Sequence, residues 1–445
     1  MKSKFYSFFL TCLIIPSLFT EVKAQKESWT YDDCKNYALE NNVQIKKAIL
    51  TNDRNAIQLD QAKSNRLPNV SASVSQNFGW GKSMIETGQE YGGGSINSRT
   101  NLNVGSNVTL FNGFRLQNEV KQSELSLEAG RFNAESVKES VEINILNSFL
   151  QVLYAKEQVN NAKKQIESTE QELTLAKERM DLGAIPKSNY LQIKSQMATE
   201  KLTLANSEKQ LRMAEVNLMQ LMELPVTEDF EIADPDIQKI IGQNNISSSE
   251  EVFNIAKKIK PQIKNAEINT KNAQIEIDIA KAGMLPSITL NAGLGTNATS
   301  QSSVGYFDQM GSYISPSLGL SLSIPIYQKN QAKNSVKLAK IGIDDAKLNE
   351  LNTQNELRKN IEQVCSDVQS ARIEYEASID QYESVTESYN VALERFNQGL
   401  INSVDFLVQK TNLISSESKL LQAKYNLVFS HKILDFYMGT TLTLE

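Results

Sequence analysis

The chain has 445 residues, 40% of them apolar, with 46 basic and 52 acidic side chains and a net charge of −6. That length suits two or three domains, and an acidic chain without a basic stripe is a poor partner for nucleic acid. Beyond the N-terminus no stretch approaches the ~18 continuous apolar residues of a membrane helix, so any passage through a membrane must use strands.

Residues 1–24 read as a secretory signal: Lys2 and Lys4, an apolar run from Phe5 to Phe19, then Val22-Lys23-Ala24 as a cleavage site. Cys12 lies inside it and lacks the small residues that precede a lipid-modified cysteine. Without Lys2, Lys4, Lys23 and Glu21, the mature chain carries 43 basic and 51 acidic residues, a net of −8. Residues 25–66 predict an N-terminal helix beginning near Thr30.

Residues 67–111 predict a strand hairpin. From Val70 to Trp80 apolar residues alternate with Ser, Asn and Gly, and from Asn101 to Leu110 the partner repeats the alternation. Residues 112–224 follow as a helical hairpin. Ile145, Val152, Val159, Ile166, Leu173 and Met180 are apolar at a spacing of seven, which chance supplies in roughly 0.4% of registers at this composition. Beyond a turn at Gly183, Tyr190, Met197, Leu204, Leu211 and Leu218 continue the spacing, the pattern of an antiparallel coiled coil. The first arm, from about Leu116 to Asp181, spans about 100 Å at 1.5 Å per residue. Periodicity alone leaves two readings, a dimerising rod or the wall of a tube.

Residues 225–249 form a linker crowded with Asp229, Glu231, Asp234 and Asp236, read as a solvated connector rather than a cation site. A helix over 250–284 and strands over 285–326 come next. In these, Ile288, Leu290, Ala292 and Leu294, then Ile314, Leu318, Leu320, Leu322 and Ile324, oppose Ser, Thr, Asn and Gly. Residues 327–445 hold a second helical hairpin and a tail. The second half repeats the first: Arg179 to Leu191 aligns with Arg395 to Leu407 at an offset of 216, and the heptad residues return as Ile361, Val368, Tyr375, Tyr382, Tyr389 and Phe396, then Phe406, Leu413, Leu420, Leu427 and Leu434.

Four strands of roughly ten residues, each with one apolar face and one small, uncharged polar face, fit a half-buried soluble sheet or a transmembrane barrel. Strand length, aromatics at the strand ends (Phe78, Trp80, Tyr313, Phe111, Tyr327) and the uncharged face favour the barrel. Four strands cannot close, because open edges are intolerable in lipid. A dimer would supply 8 strands and a packed interior, a trimer 12 and room for water.

These features together resemble the TolC-like outer-membrane efflux factors. The resemblance covers the mature chain: the helix beginning Thr30-Tyr31-Asp32-Asp33-Cys34, a Leu-Pro before each unit's first strand, Leu110-Phe111-Asn112-Gly113 entering the first long helix, and Arg-x-x-x-Gly at both helical turns. It implies a mixed α/β membrane protein, mostly long antiparallel coiled-coil helices with four transmembrane strands per protomer. Three protomers would form a 12-stranded barrel in outer-membrane lipid of a Gram-negative bacterium above a 12-helix periplasmic tunnel, with loops 81–100 and 296–312 outside.

The resemblance further implies a passive duct serving a periplasmic adaptor and an inner-membrane pump, in tripartite efflux or type I secretion, with no cofactor. The alternative is a structural coiled-coil rod anchored by its strands; the uncharged polar face, which a stalk does not need, separates the two. Tip residues Arg179, Gly183, Ala184, Arg395, Gly399 and Leu400 would contact the adaptor. The family's periplasmic gate falls on Phe396, Ile401, Asp405, Val408 and, in the first unit, Asn189. Closure is expected from apolar packing near Phe396 and a ring of Asp405. Ser188, and Asn402 or Ser403, are candidate helix caps after the turns.

Other signals carry less. Gly293-Leu294-Gly295-Thr296-Asn297-Ala298 imitates a dinucleotide fingerprint without a following helix and reads as a strand-end loop. His431 is the single histidine, a surface or seam residue, so no histidine metal site or catalytic triad can form, and nothing points to an enzyme. Cys34 and Cys365 lie on separate helical patterns, with Cys365 beside the heptad seam as a core residue.

Overall fold

The computed structural model describes residues 28–80, 96–226, 230–237, 241 and 248–444. The signal segment 1–24 and Asp229 lie outside the described residues. Thr30 opens α1 (Tyr31–Asn41) with a reciprocal capping box, its hydroxyl accepting from Asp33 N while the Asp33 carboxylate accepts from Thr30 N. The expected single N-terminal helix is two. Asn42 ends α1 and caps α2 (Val43–Ser64), its Oδ1 accepting from Gln44 N, and its amide donates to Leu221 O at 2.8 Å. The helix expected over 250–284 is likewise divided, into α5 (Ser249–Ile259) and α6 (Pro261–Ala282), because Pro261 lacks the N–H that would continue the ladder.

The duplication holds to the residue in the long helices. α3 (Arg115–Asp181) and α8 (Gln331–Asn397) each have 67 residues, and α4 (Lys187–Met222) and α9 (Ser403–Met438) each have 36. The turns into α3 and α8 use the same pair of left-handed residues, Gly113-Phe114 in one unit and Lys329-Asn330 in the other. α3 packs on α4, α2 and α6, and α8 on α9 and α6.

The main core girdles the middle of the long helices. Phe149, Ile145 and Leu146 of α3, Leu218 and Met222 of α4, Tyr31 and Cys34 of α1, and Val428 of α9 are buried together. The linker is more than a connector: Trp29 pairs with Ile232, with Trp29 N donating to Glu231 O at 2.9 Å, and Phe230, Ile232 and Ile237 are buried in this core. The tail also returns to it through Leu442 and Leu444.

The four strands form one antiparallel sheet in the order β1 (Asn69–Trp80), β2 (Ile96–Asn112), β3 (Ser287–Thr299), β4 (Ser315–Ser323). Three strands exceed the expected ten residues, and β3 runs straight through the Gly293–Ala298 fingerprint, so that segment is strand and not a loop. The longer β2 also brings Arg99 onto the polar face, in the row Asn77, Arg99, Thr299, so that face is not wholly uncharged. The segment 296–312 contains a short helix, α7 (Tyr306–Ser312), where only a loop was expected. No disulfide joins Cys34 and Cys365.

Candidate functional site: the sheet faces and the helical tips

Register fixes which side chains share a face. Ala72, Val104, Leu294 and Pro316 make one row, and Val108, Leu290 and Leu320 another. The opposite face carries Ser71, Gly105, Gly293 and Ser317, then Asn69, Asn107, Asn291 and Gly319, stitched by Asn107 Nδ2 donating to Asn291 Oδ1 at 3.0 Å. On the first face Val70, Leu318 and Trp80 are more than 70% exposed. A contiguous apolar surface of this kind marks contact with lipid or protein. Among the described residues, the outer edges of β1 and β4 have no partner within the protomer.

At the far end of the long helices both turns close in the same way. Gly183 and Gly399 are left-handed, at φ 73° and 74°. Gly183 N donates to Met180 O and Ala184 N to Arg179 O; Gly399 N donates to Phe396 O and Leu400 N to Arg395 O. This is the Schellman arrangement, which satisfies the last carbonyls of a helix. The entries to the next helices differ. Asn402 caps α9 by accepting from Asp405 N at 2.9 Å, whereas α4 starts after Pro186 without a side-chain cap. Ser188 therefore sits inside α4 and is not a cap, and Ser403 is buried, its hydroxyl donating to Gln192 Oε1.

The predicted tip residues separate into two groups. Gly183, Ala184, Arg395, Gly399 and Leu400 are exposed. Arg179 is half-buried and engaged within the protomer, its guanidinium donating to Phe396 O and Asn397 O at 3.3 and 2.7 Å, which joins the first turn to the carbonyl end of α8. Of the gate positions, Asp405 and Val408 are exposed and Asn189 and Ile401 half-buried. Phe396 is buried inside the protomer, stacked on Phe406 at 4.8 Å among Ala176, Ile193 and Ala392.

Just above this apolar cluster lies a buried polar network that joins four helices. Lys410 of α9, 1% exposed, donates to Thr169 Oγ1 at 2.7 Å and to both Glu172 oxygens at 2.8 and 2.9 Å on α3. Glu200 of α4 accepts from Thr169 and from Gln196 Nε2, and Tyr389 of α8 donates to Glu172 at 3.3 Å. Burial, with Glu172 beside it, pushes the Tyr389 phenol up to about 12, which keeps it a donor.

The sequence held a signal for this network. Lys410, Glu417, Lys424 and His431 form a polar row at the same spacing of seven as the apolar row. The first three have partners on α3, where Lys424 pairs with Glu157 at 3.2 Å and Glu417 faces Lys164. Counting apolar positions alone passed over it.

Among the described residues no cluster of His, Cys, Asp and Glu could hold a metal ion, and no helix is long and apolar enough to cross a membrane. Strands carrying one lipid-type and one water-type face, continuous with helical hairpins, define the protomer of an outer-membrane channel.

The outer membrane efflux protein family matches residues 36–223 and 252–440, one copy in each repeat, and the chain belongs to that family. Over 318 residues it is 23% identical to the toxin and drug export protein A of Aggregatibacter actinomycetemcomitans, covering 70% of this chain and 65% of that protein. Over 246 residues it is 25% identical to the pyoverdine export outer membrane protein OpmQ of Pseudomonas putida, covering 54% and 48%. The chain thus spans less than two thirds of the length of these curated relatives.

Among solved structures it superposes on the outer membrane protein VceC of Vibrio cholerae with a TM-score of 0.77 at 15% identity, over 92% of this chain and 96% of that one. On the open state of the MtrE outer membrane channel of Neisseria gonorrhoeae the TM-score is 0.75 at 18% identity, over 93% and 90%. These likenesses establish the fold. The chain is thus a member of the outer membrane efflux protein family with the fold of an outer-membrane channel subunit.

Proposed function

We propose that three copies of this chain form an exit duct, a 12-stranded barrel through the outer membrane on a 12-helix periplasmic tunnel, which passively conducts cargo delivered by a periplasmic adaptor and an inner-membrane pump. The observation that carries this is the sheet itself, with two open edges and two chemically opposite faces, which lipid tolerates only after closure with further strands. Twelve strands leave a wet lumen for the Ser/Asn/Gly face, where eight would pack it shut. Drug efflux and type I secretion use the same conduit, and cargo choice belongs to the pump.

Arg395, Gly399 and Leu400, with Gly183 and Ala184, offer exposed tips to the adaptor, while Arg179 acts on the tip from within. Closure of the periplasmic end combines the apolar cluster at Phe396, which ties the second hairpin to the first, with a ring of exposed Asp405. Asn189, half-buried, contributes no charge to it. Light scattering of the purified full chain in detergent should give a trimer, and planar bilayers should show conductance that rises when Asp405→Lys and Phe396→Ala are combined. A monomer or dimer without conductance, even in that double variant, would leave the rod in its place.

A further inference from the structure

The apolar face of the sheet is interrupted near the end remote from the long helices. Gln76, Thr100 and Thr296 have the same parity as Val74, Leu102 and Leu294, so they belong to the face read above as lipid-exposed; this inference rests on that reading. Bare hydroxyl and amide groups there would be poorly solvated. α7 covers them. Tyr306 OH donates to Thr100 Oγ1 at 2.7 Å, the Thr100 hydroxyl donates to Gln76 Oε1, and Thr296 Oγ1 donates to Met310 O at 2.8 Å.

A second defect lies at the same place. β4 begins at Ser315, opposite Gly295, while β3 continues to Thr299, which leaves the last residues of β3 without a β4 partner. Gln309 of α7 fills the gap. Its Oε1 accepts from Thr299 N at 2.9 Å, and its Nε2 donates to Thr299 O at 3.0 Å and Val304 O at 2.8 Å. With 2% exposure it serves as a side-chain rung of the ladder, and Ala298 beneath is fully buried.

The outer surface of this piece is aromatic and apolar. Phe307 is 85% exposed, its ring edge-on to Tyr306 at 5.4 Å, and Val304 and Tyr313 are exposed beside it. Tyr306 reaches Thr100 on the interior strand β2, so α7 leans toward the middle of the protomer's own sheet rather than only along its open edge. One charge, Asp308, stands next to Phe307, as expected of a segment at a boundary between acyl chains and water.

We infer that α7 is a membrane-interface collar: it plugs the short edge of the sheet and inserts Phe307 into the headgroup–acyl boundary of the outer leaflet. The surface is continuous with the apolar rows of Leu294 and Leu318, which gives lipid as its occupant. The collar differs from a loop folded across the pore mouth because it docks on the face opposite the Ser/Asn/Gly rows.

The test uses the full-length trimer in liposomes of phospholipids brominated at shallow or deep acyl positions. Phe307→Trp is made in a Trp80→Phe background as the collar probe, and Leu320→Trp in the same background reports the middle of the apolar band. Trp29, in the helical girdle, is the constant remainder. The collar probe should be quenched at least twofold more by shallow than by deep bromines and little by aqueous iodide, and adding Tyr306→Phe with Gln309→Ala should raise its iodide quenching. Quenching of the collar probe by iodide alone, or by neither agent as expected of a ring buried against a neighbouring copy, overturns the collar. If the mid-band probe also escapes deep bromines, the lipid-face reading itself has failed; if the mid-band probe is quenched and the collar probe is not, only the collar has.

Discussion

Replacing Lys410 by Met removes the one cation of a buried network and leaves two carboxylates, Glu172 and Glu200, whose side chains are 9% and 6% exposed. Breaking a buried pair by deleting one partner costs about 3–5 kcal/mol, because the remaining charge stays desolvated. By contrast, Lys424–Glu157, with side chains 21% and 37% exposed, is worth about 0–1 kcal/mol after solvent screening. Lys410 should therefore dominate the polar row. The loss falls on the contact between hairpins, since Lys410 lies on α9 and its partners Thr169 and Glu172 on α3. Taking about 3 kcal/mol, local opening near residues 165–176 and 404–414 becomes about 150-fold more frequent, at about 1.4 kcal/mol per decade. Hydrogen exchange read by mass spectrometry should show it as lost protection there, with the sheet and the core at Phe149 unchanged. Lys410→Met combined with Glu172→Gln and Glu200→Gln should recover much of the protection, whereas Lys424→Met should do little. Unchanged exchange in Lys410→Met, or equal loss in Lys424→Met, would refute the assignment of the seam to this buried network.

His431 is buried with no hydrogen bond to Nε2, and burial, helped by Arg372 and Lys432 and opposed by Asp435, holds its pKa below the usual 6.5. The unfolded chain then binds the proton first, so stability should fall as pH drops below about 6.5, and His431→Leu should flatten that slope in thermal melts in detergent. A wild-type slope retained by His431→Leu would locate the titration elsewhere. Gly399→Ala meets open space and carries only the left-handed backbone cost, about 1–2 kcal/mol. Gly113→Ala has the same φ sign and also places Cβ 2.9 Å from Ala282 O and Leu285 Cβ, so it should lower the melting temperature more; the reverse order would contradict the packing at that turn. Arg179→Met should raise exchange at residues 393–400 by a few-fold, matching about 0.5–1 kcal/mol for a partly exposed cation at a helix end, while Arg395→Met should not.

The sequence was most readable where one physical demand repeats. The heptad row on α3 ends buried at Ile145 and Val152, its copy on α8 at Ile361 and Val368, and strand alternation gave the two faces. What was hidden depends on single events. Lys329 and Asn330 adopt left-handed conformations where the first unit has Gly113 and Phe114, and nothing in Lys-Asn announces that, since the cost is met by the geometry of the strand-to-helix turn. α7 is seven residues long, and one Gln side chain and a few hydroxyls hold it, so no periodicity reveals it. The break at Asn42 was similarly silent, because the same Asn satisfies two helix ends and a carbonyl of α4.

The two rows on α9 bear on how a duct could open. Within each hairpin the shorter helix packs on the longer one, α4 on α3 and α9 on α8, so a hairpin behaves as one body. Below the girdle the second hairpin is held to the first by the polar row of α9 on α3, by Arg179 on the α8 carbonyls and by the Phe396–Phe406 cluster. Signs along the polar row alternate, Lys410 against Glu172, Glu417 facing Lys164, Lys424 against Glu157. A slip of one heptad would oppose like charges, whereas a lateral swing pivoting at the girdle would part these pairs progressively, most of all at the Lys410 network and the tip contacts. Splaying at the tips therefore breaks fewer contacts than axial sliding, and the Lys410 network adds its cost to the closure proposed for the Phe396 cluster and Asp405.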